Sequence, residues 1–269
     1  MGFIGKASET IKSKSKTRRG RGKGSIKPSF FSILGNNING ISGKSDSLLA
    51  VVKELEYPTV LTIQESKISS HNYKIPGYQP FFKNRVNQGG GGLITAVAES
   101  LHAVQVSDVK EDILVVEIVV SDEKIRVINA YGPQEPQTSF DKEISKLFWL
   151  EVEKQVVDAK NENCKVVIQC DANTKLGKEV FPKDIHDQTV NGSFLAQLIQ
   201  RNDLYVLNSR NICSGVITRS RNTTLGLERS ILDYVITCEG MNNHCMNMLI
   251  DESRKYVRVN IILEITFHL

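Results

Sequence analysis

From position 29 onward the chain is a succession of short apolar runs, each about as long as a β-strand and each closed by a cluster of turn-forming residues. Residues 30–34, 60–63, 93–97, 113–120, 125–130 and 165–169 are such runs, and another strand is expected within 229–237. Ser121-Asp122-Glu123-Lys124 between two of them predicts a hairpin. Helical spacing is confined to few places. Leu48, Leu49, Val52 and Leu55 follow a capping Ser45 or Asp46. Ile144, Leu147, Phe148, Val152, Val156 and Ala159 recur at helical intervals across 141–161, which predicts one apolar face there. A shorter helix is expected over 193–201. Many strands and few helices call for sheets packed on each other with helices outside.

The hydrophobic share of 40% suffices for a core. No uninterrupted apolar stretch approaches the ~18 residues of a membrane span, so no membrane partner is expected. The first 30 residues lack an apolar central segment, so a secretory signal is not expected and an intracellular site, cytoplasmic or nuclear, is. The five cysteines show no CxxC spacing, which argues for idle thiols over a disulfide framework or a zinc site. The net charge of +4 is unevenly spread: residues 1–28 hold nine basic side chains against Glu9, a net of +8, leaving −4 for the rest. That segment is too polar to offset chain entropy and is expected to be a disordered arm. It reads either as a grip on nucleic-acid phosphates or as a solvated leader.

The residues able to do chemistry cluster at strand ends. They are Asn37 and Asn39 before Gly40; Glu65 in Gln64-Glu65-Ser66-Lys67; Asn129 and Tyr131 before Gly132-Pro133; Asp171 and Asn173; and Ser230 with Asp233. Each alone is an ordinary turn former. Together they match the needs of phosphodiester cleavage: oxygen ligands for a hard divalent cation, a carboxylate to deprotonate water, and amide or phenol donors for phosphate oxygens. Residues 89–92, a run of glycine, lead into a strand and lack a following Lys-Ser/Thr. They are expected to form a hairpin or a close backbone approach, not a phosphate loop.

In order and spacing, Asn-x-Asn-Gly, Gln-Glu-Ser-Lys, Asn-x-Tyr-x-Pro, Asp-x-Asn and Ser-x-x-Asp-Tyr resemble the endonuclease/exonuclease/phosphatase family. That family includes AP endonucleases, DNase I-like nucleases and the endonucleases of non-LTR retrotransposons. The resemblance spans roughly residues 29–252 and implies an α/β four-layer sandwich: two packed mixed β-sheets flanked by helices. It implies Mg2+ or Mn2+ as cofactor, DNA as partner and no small-molecule cofactor. Carried over residue by residue, it makes Glu65 and Asn39 the metal site, with Asn37, Asn129, Ser230 and Thr218 on phosphate. In the catalytic set Asp171 activates water, Asn173 and Tyr131 contact the phosphate, and Asp233 orients a histidine.

That histidine is where the sequence departs. The family's closing Ser-Asp-His is absent after Asp233, and only His244 and His268 remain as candidates, neither well placed. Residues 253–269 form an atypical tail. One expectation is a truncated or frameshifted copy whose last strand is missing or altered; the other is that 256–269 still forms a closing strand, since Val257, Val259, Ile261, Leu263, Ile265 and Phe267 alternate. The first functional expectation is a retroelement DNA endonuclease, weakened or inactive without its histidine. The alternatives are a non-enzymatic remnant that binds nucleic acid and a phosphatase of the same fold.

Overall fold

A computed structural model describes residues 30–69, 72–85, 91–224, 226–252 and 262–268. The basic segment 1–28, Gly89, Gly90 and residues 253–261 lie outside it, as does any test of their expected roles. The elements are β1 (Phe30–Asn37), α1 (Ser45–Glu54), β2 (Val60–Gln64), β3 (Tyr78–Lys83), β4 (Leu93–Ala98), β5 (His102–Gln105), β6 (Ile113–Val120), β7 (Glu123–Tyr131), α2 (Ser139–Asn161), β8 (Lys165–Asp171) and α3 (Val190–Arg201). They continue with β9 (Tyr205–Val206), β10 (Cys213–Ser214), β11 (Arg219–Thr223), β12 (Gly226–Ser230), β13 (Asp233–Thr237), α4 (Glu239–His244), β14 (Cys245–Asp251) and β15 (Ile262–His268).

Seven strands form one mixed sheet in the order β10-β14-β15-β1-β2-β4-β3, and six form a second in the order β5-β6-β7-β8-β13-β9. The hairpin β11-β12 stands apart from both. The sheets face each other across Phe31, Ile33, Val60 and Val97 from the first and Val116, Val127, Val167 and Val235 from the second. Leu48, Val51 and Val52 of α1 cover the outer face of the first sheet. Phe148, Trp149 and Val152 of α2 and Leu195 and Leu198 of α3 cover that of the second. This is the expected four-layer sandwich, and it follows from strands that bury both faces.

The expected missing strand is supplied. Residues 262–268 form β15, which pairs antiparallel with β1 on one side and β14 on the other. The alternating pattern of the tail was therefore the better guide. At the β6–β7 turn, Ser121 and Asp122 have φ of 50° and 70°, the two left-handed residues of a two-residue hairpin loop. Thr138 starts α2 earlier than expected: its side chain accepts from the Asp141 N–H while the Asp141 carboxylate takes the Thr138 N–H.

The strand expected within 229–237 is β13, and Ile231-Leu232 separates it from the end of β12. One expectation needs correction. In α2, Ile144 and Leu147 do not share the buried face; they are 45% and 44% exposed, while Phe148, Val152, Val156 and Ala159 turn inward.

Candidate active site

Side chains alternate along a strand, so residues two apart share a face. Ile33 and Val60, Val127 and Val167 point into the layer between the sheets. The same faces carry Gly35 and Asn37 on β1, Gln64 on β2, Asn129 and Tyr131 on β7, and Gln169 and Asp171 on β8. β1 and β2 run parallel, as do β7 and β8, so the carboxyl ends of all four lie together. Tyr131 sits opposite Asp171 on the neighbouring strand, and Asp233 at the start of β13 sits opposite Asp171 on the other side.

One amide joins the two sheets there. Asn37 Nδ2 donates to Glu65 Oε1 at 2.9 Å and to Asp171 Oδ2 at 2.6 Å. The Tyr131 hydroxyl donates to the same Glu65 oxygen at 2.8 Å. Asp171 Oδ1 accepts the Asn173 N–H at 3.2 Å, and Asn173 Nδ2 donates to the Gly132 carbonyl at 2.9 Å. Residues from four separate segments thus share one short bonded chain.

The backbone around Glu65 is held in an uncommon form. Asn39, Glu65, Lys67 and Asn173 have φ between 47° and 53°, a region costly for a side chain such as glutamate. The loop is pinned from both sides. Gly40 N–H donates to the Glu65 carbonyl at 2.7 Å, while Ser66 and Lys67 donate to the Gly92 and Gly91 carbonyls at 3.0 and 2.9 Å. A Cβ on Gly92 would stand 2.8 Å from Ser66 Oγ. For the two described glycines of the run, close backbone approach is the observed role.

Electrostatics separate the carboxylates. Burial opposes ionisation of Glu65, but the bonds from Asn37 and Tyr131 and the nearby Lys67 ammonium, 3.6 Å away, outweigh it and hold its pKa below the ordinary value. Burial pushes Asp171 up to about 6 against its bonds from Asn37 and Asn173, and the charge of Glu65 adds to the rise. Burial and the facing Asp171 charge push Asp233 well above the usual range, opposed by its bond with Thr218 and by Arg219. Tyr131 is raised by burial and by its bond to Glu65, so its hydroxyl stays a donor.

Several expected residues are placed elsewhere. Asn129 is fully buried and cannot meet a phosphate: Gln64 Nε2 donates to its oxygen at 2.7 Å, and its own amide donates to the Ile94 carbonyl at 2.9 Å. It ties the sheets together just beneath the site. Thr218 is also buried; its hydroxyl oxygen accepts the Leu232 and Asp233 N–H groups at 2.8 and 3.0 Å, which fixes Asp233. Ser230 is 3% exposed, and its carbonyl accepts the Thr218 N–H. The Asn39 oxygen is engaged by the Lys67 ammonium, not by the carboxylates.

Neither histidine candidate reaches the site. His268 pairs with Phe30 and packs edge-on against its ring, at the far end of β1 from Asn37. Seven residues of extended chain separate these positions, roughly 23 Å. His244 precedes Cys245, which pairs with Phe267 at that same far end. Residues 253–261, which lead into the site end of β15, contain no histidine.

Cationic side chains that no motif announced surround the cluster. Lys44 Nζ donates to the Ile38 and Asn39 carbonyls. Arg85 makes a two-pronged bond to Asp112, at 2.8 and 2.6 Å, and lies over the Tyr131 ring at 5.5 Å. The Arg85 contacts are long-range, with no local sequence signal.

Among the described residues, a grouping of three acidic or thiol ligands occurs at Glu117, Glu162 and Cys164. The Arg126 guanidinium already bonds both glutamates there, offsetting one of their two charges. Glu65 and Asp171 share the Asn37 amide, with the Lys67 ammonium beside Glu65. A hard divalent cation that binds through one or two carboxylates and keeps several waters fits that donor set.

No protein-family model matches the chain, and no curated protein does. Solved structures do. The endonuclease domain of TRAS1, a telomere-specific non-LTR retrotransposon, is 18% identical with a TM-score of 0.69 over 89% of this chain and 99% of that one. The AP endonuclease LMAP from Leishmania major is 13% identical, TM-score 0.70, over 90% and 88%. The 3′ phosphatase NExo from Neisseria, bound to a product DNA hairpin, is 14% identical, TM-score 0.67, over 89% and 100%. The chain has the DNase I-like fold. Among its described residues no helix is long and apolar enough to cross a membrane.

Proposed function

We propose that the protein is a metal-dependent phosphodiester hydrolase of retroelement type that nicks DNA, with turnover weakened by the lack of a histidine. The observation that carries this is the Asn37 amide bonded at once to Glu65 and Asp171, which binds two carboxylates of unlike acidity into one site. Glu65, held ionised, would hold Mg2+ or Mn2+. The ion, when bound, supplies Lewis-acid stabilisation of charge on the phosphate.

Asp171 is the base. Two hydrogen bonds fix its carboxylate, and a pKa raised to about 6 suits proton abstraction near neutral pH. Asn37, Tyr131 and Asn173 are amide and phenol donors at the same place, suited to phosphate oxygens. Asp233 stands beside Asp171, ready to position a histidine that this sequence does not provide. A reaction that must expel its leaving group without that partner loses orders of magnitude in rate, because such groups act as a unit. The likeness to TRAS1 endonuclease and to DNA-bound NExo supports DNA as the substrate class, and the basic segment 1–28 supports a phosphate-rich partner.

The test is supercoiled-plasmid relaxation with Mg2+ or Mn2+, comparing the wild-type chain with Asp171→Ala. Slow nicking that disappears in the variant supports the reading. Nicking that persists in Asp171→Ala, or salt-dependent DNA binding with no cleavage at all, defeats it; the latter outcome would leave a non-enzymatic nucleic-acid-binding protein.

A further inference from the structure

The two apolar faces of α2 have different fates. Ser145, Phe148, Trp149, Val152, Gln155, Val156 and Ala159 are buried against the second sheet and α3. The opposite face is also apolar, yet it is exposed: Phe140 is 73% exposed, and Ile144, Leu147, Leu150 and Val157 are 41–45% exposed. A helix on the surface of a single-copy protein would be expected to turn polar residues outward. Exposed apolar residues repeated along one helix face, with Glu143 and Lys154 set between them, make a pattern suited to a contact surface.

The stripe has a regular order. Phe140, Glu143, Leu147, Leu150, Lys154 and Val157 are all exposed and follow a 3-4-3-4-3 spacing, the seam of a two-helix coil. The order is also palindromic about a point between Phe148 and Trp149. Reversed, Phe140 stands where Val157 stood, Glu143 where Lys154 stood, and Leu147 where Leu150 stood. Two parallel copies would oppose Glu143 to Glu143 and Lys154 to Lys154. Two antiparallel copies oppose Glu143 to Lys154 twice, Phe140 to Val157 twice, and Leu147 to Leu150 twice. Like charges in register repel and unlike ones attract, so the charges select the antiparallel arrangement.

We propose that α2 is the seam of a symmetric antiparallel homodimer, the occupant of each exposed stripe being the α2 stripe of a second copy. The groove between α2 and α3 beside the stripe is of mixed character, with Trp149, Leu150, Phe194 and Leu198 alongside Lys146, Glu153, Gln197 and Arg201. A helix of 23 residues gives a seam roughly 34 Å long. With a width of ~10 Å it covers roughly 340 Å2 on each copy, about 700 Å2 in total and under the ~1,000 Å2 that a stable specific interface exceeds, so the dimer is a weak and transient one. α2 starts at the site end of the sandwich, following Tyr131 through a short loop. The antiparallel pairing therefore sets the two catalytic sites at opposite ends of the seam. The inference stands on α2 alone and is independent of the chemistry proposed above.

The test is sedimentation velocity of the full chain from ~1 to ~100 μM, a span bracketing the association expected for so small an interface. Wild-type protein is expected to pass from monomer to dimer in that range. Glu143→Lys and Lys154→Glu, each made alone, place like charges at two symmetric points and should each weaken association by about tenfold or more. An equimolar mixture of the two variants restores both attractions and should form heterodimers at wild-type concentrations or below. A merely unfolded variant would not be rescued in this way. A wild-type chain that stays monomeric throughout, single variants that associate like wild type, or a mixture that stays monomeric would each overturn the proposal.

Discussion

The layer between the two sheets has a dry end and a wet end, built on the same strands. At the dry end Phe31, Ile33, Val60, Val127, Val167 and Val235 interlock, with the Thr237 hydroxyl a buried polar group among them. Two to six residues further along, the same inward faces carry Asn37, Gln64, Asn129, Tyr131, Gln169 and Asp171. The backbone does not change; only the side chains do. The dry end stabilises by removing apolar area from water, at about 25 cal/mol per Å2. The wet end gives that up, and it holds buried polar groups without protein partners, such as both amide atoms of Gln169 and the Thr62 hydroxyl. Stability is concentrated at one end so that reactive groups can be buried at the other.

The largest test of this contrast is at its boundary. Gly35 lets the Gln169 amide reach across between the sheets; a Cβ there would lie 1.2 Å from Gln169 Nε2. Gly35→Ala is expected to cost about 3 kcal/mol or more, through a clash that flanking strands cannot relieve. Urea unfolding checks it, and a loss below 1 kcal/mol would mean the layer is looser than described. Gln64→Leu is the next largest. It strips the Asn129 oxygen of its donor in a site that water does not reach, and should cost about 1–3 kcal/mol in the same assay.

Asp171→Asn moves in the opposite direction. In the metal-free protein the folded pKa of Asp171, about 6, lies above the unfolded value of about 3.9. The folded state binds its proton more tightly, so the charge penalty is absent at acid pH, grows as pH rises through that interval, and is complete above it. The neutral amide avoids the penalty. Asp171→Asn should therefore stabilise the metal-free chain by about 1–3 kcal/mol at pH 7.5, and by much less at pH 4. Thermal melts at the two pH values with a chelator present decide the matter. Equal effects at both would show that the carboxylate is not buried uncompensated.

The smallest expected effect is at the rim. Arg85→Ala removes the cation from the Tyr131 ring face and frees Asp112, and should lower nicking by about tenfold or less with little loss of fold. A complete loss of activity would move Arg85 from the rim into the chemistry.

Much of this was legible in the sequence because strand ends mark themselves. Asp171 ends an apolar strand, and the alternation that buries Val167 also directs it inward; Glu65 follows the apolar run of β2 but is off the alternation of Val60, and its left-handed backbone brings it to the site. The tail's alternation foretold β15 for the same reason. What the sequence withheld was distance. Asn129 carries the same motif letter as a phosphate contact, yet its position two residues before Tyr131 leaves it below the surface, where only the opposite sheet can satisfy it. Thr218 and Arg85 act through partners far along the chain, and no local spacing encodes such pairings. The exposed face of α2 was hidden differently: Ile144 and Leu147 fit the same helical series as the core residues, and only the packing separates the two faces.

Everything proposed for the site depends on Glu65 holding a divalent cation beside the base Asp171. The most direct test is Mn2+ titration of the full chain followed by electron paramagnetic resonance, with Glu65→Gln and, as a control, Glu117→Gln. One bound ion lost in Glu65→Gln and kept in Glu117→Gln is the expected result. Binding that survives Glu65→Gln but vanishes in Glu117→Gln would place the metal beside Arg126 and contradict the account.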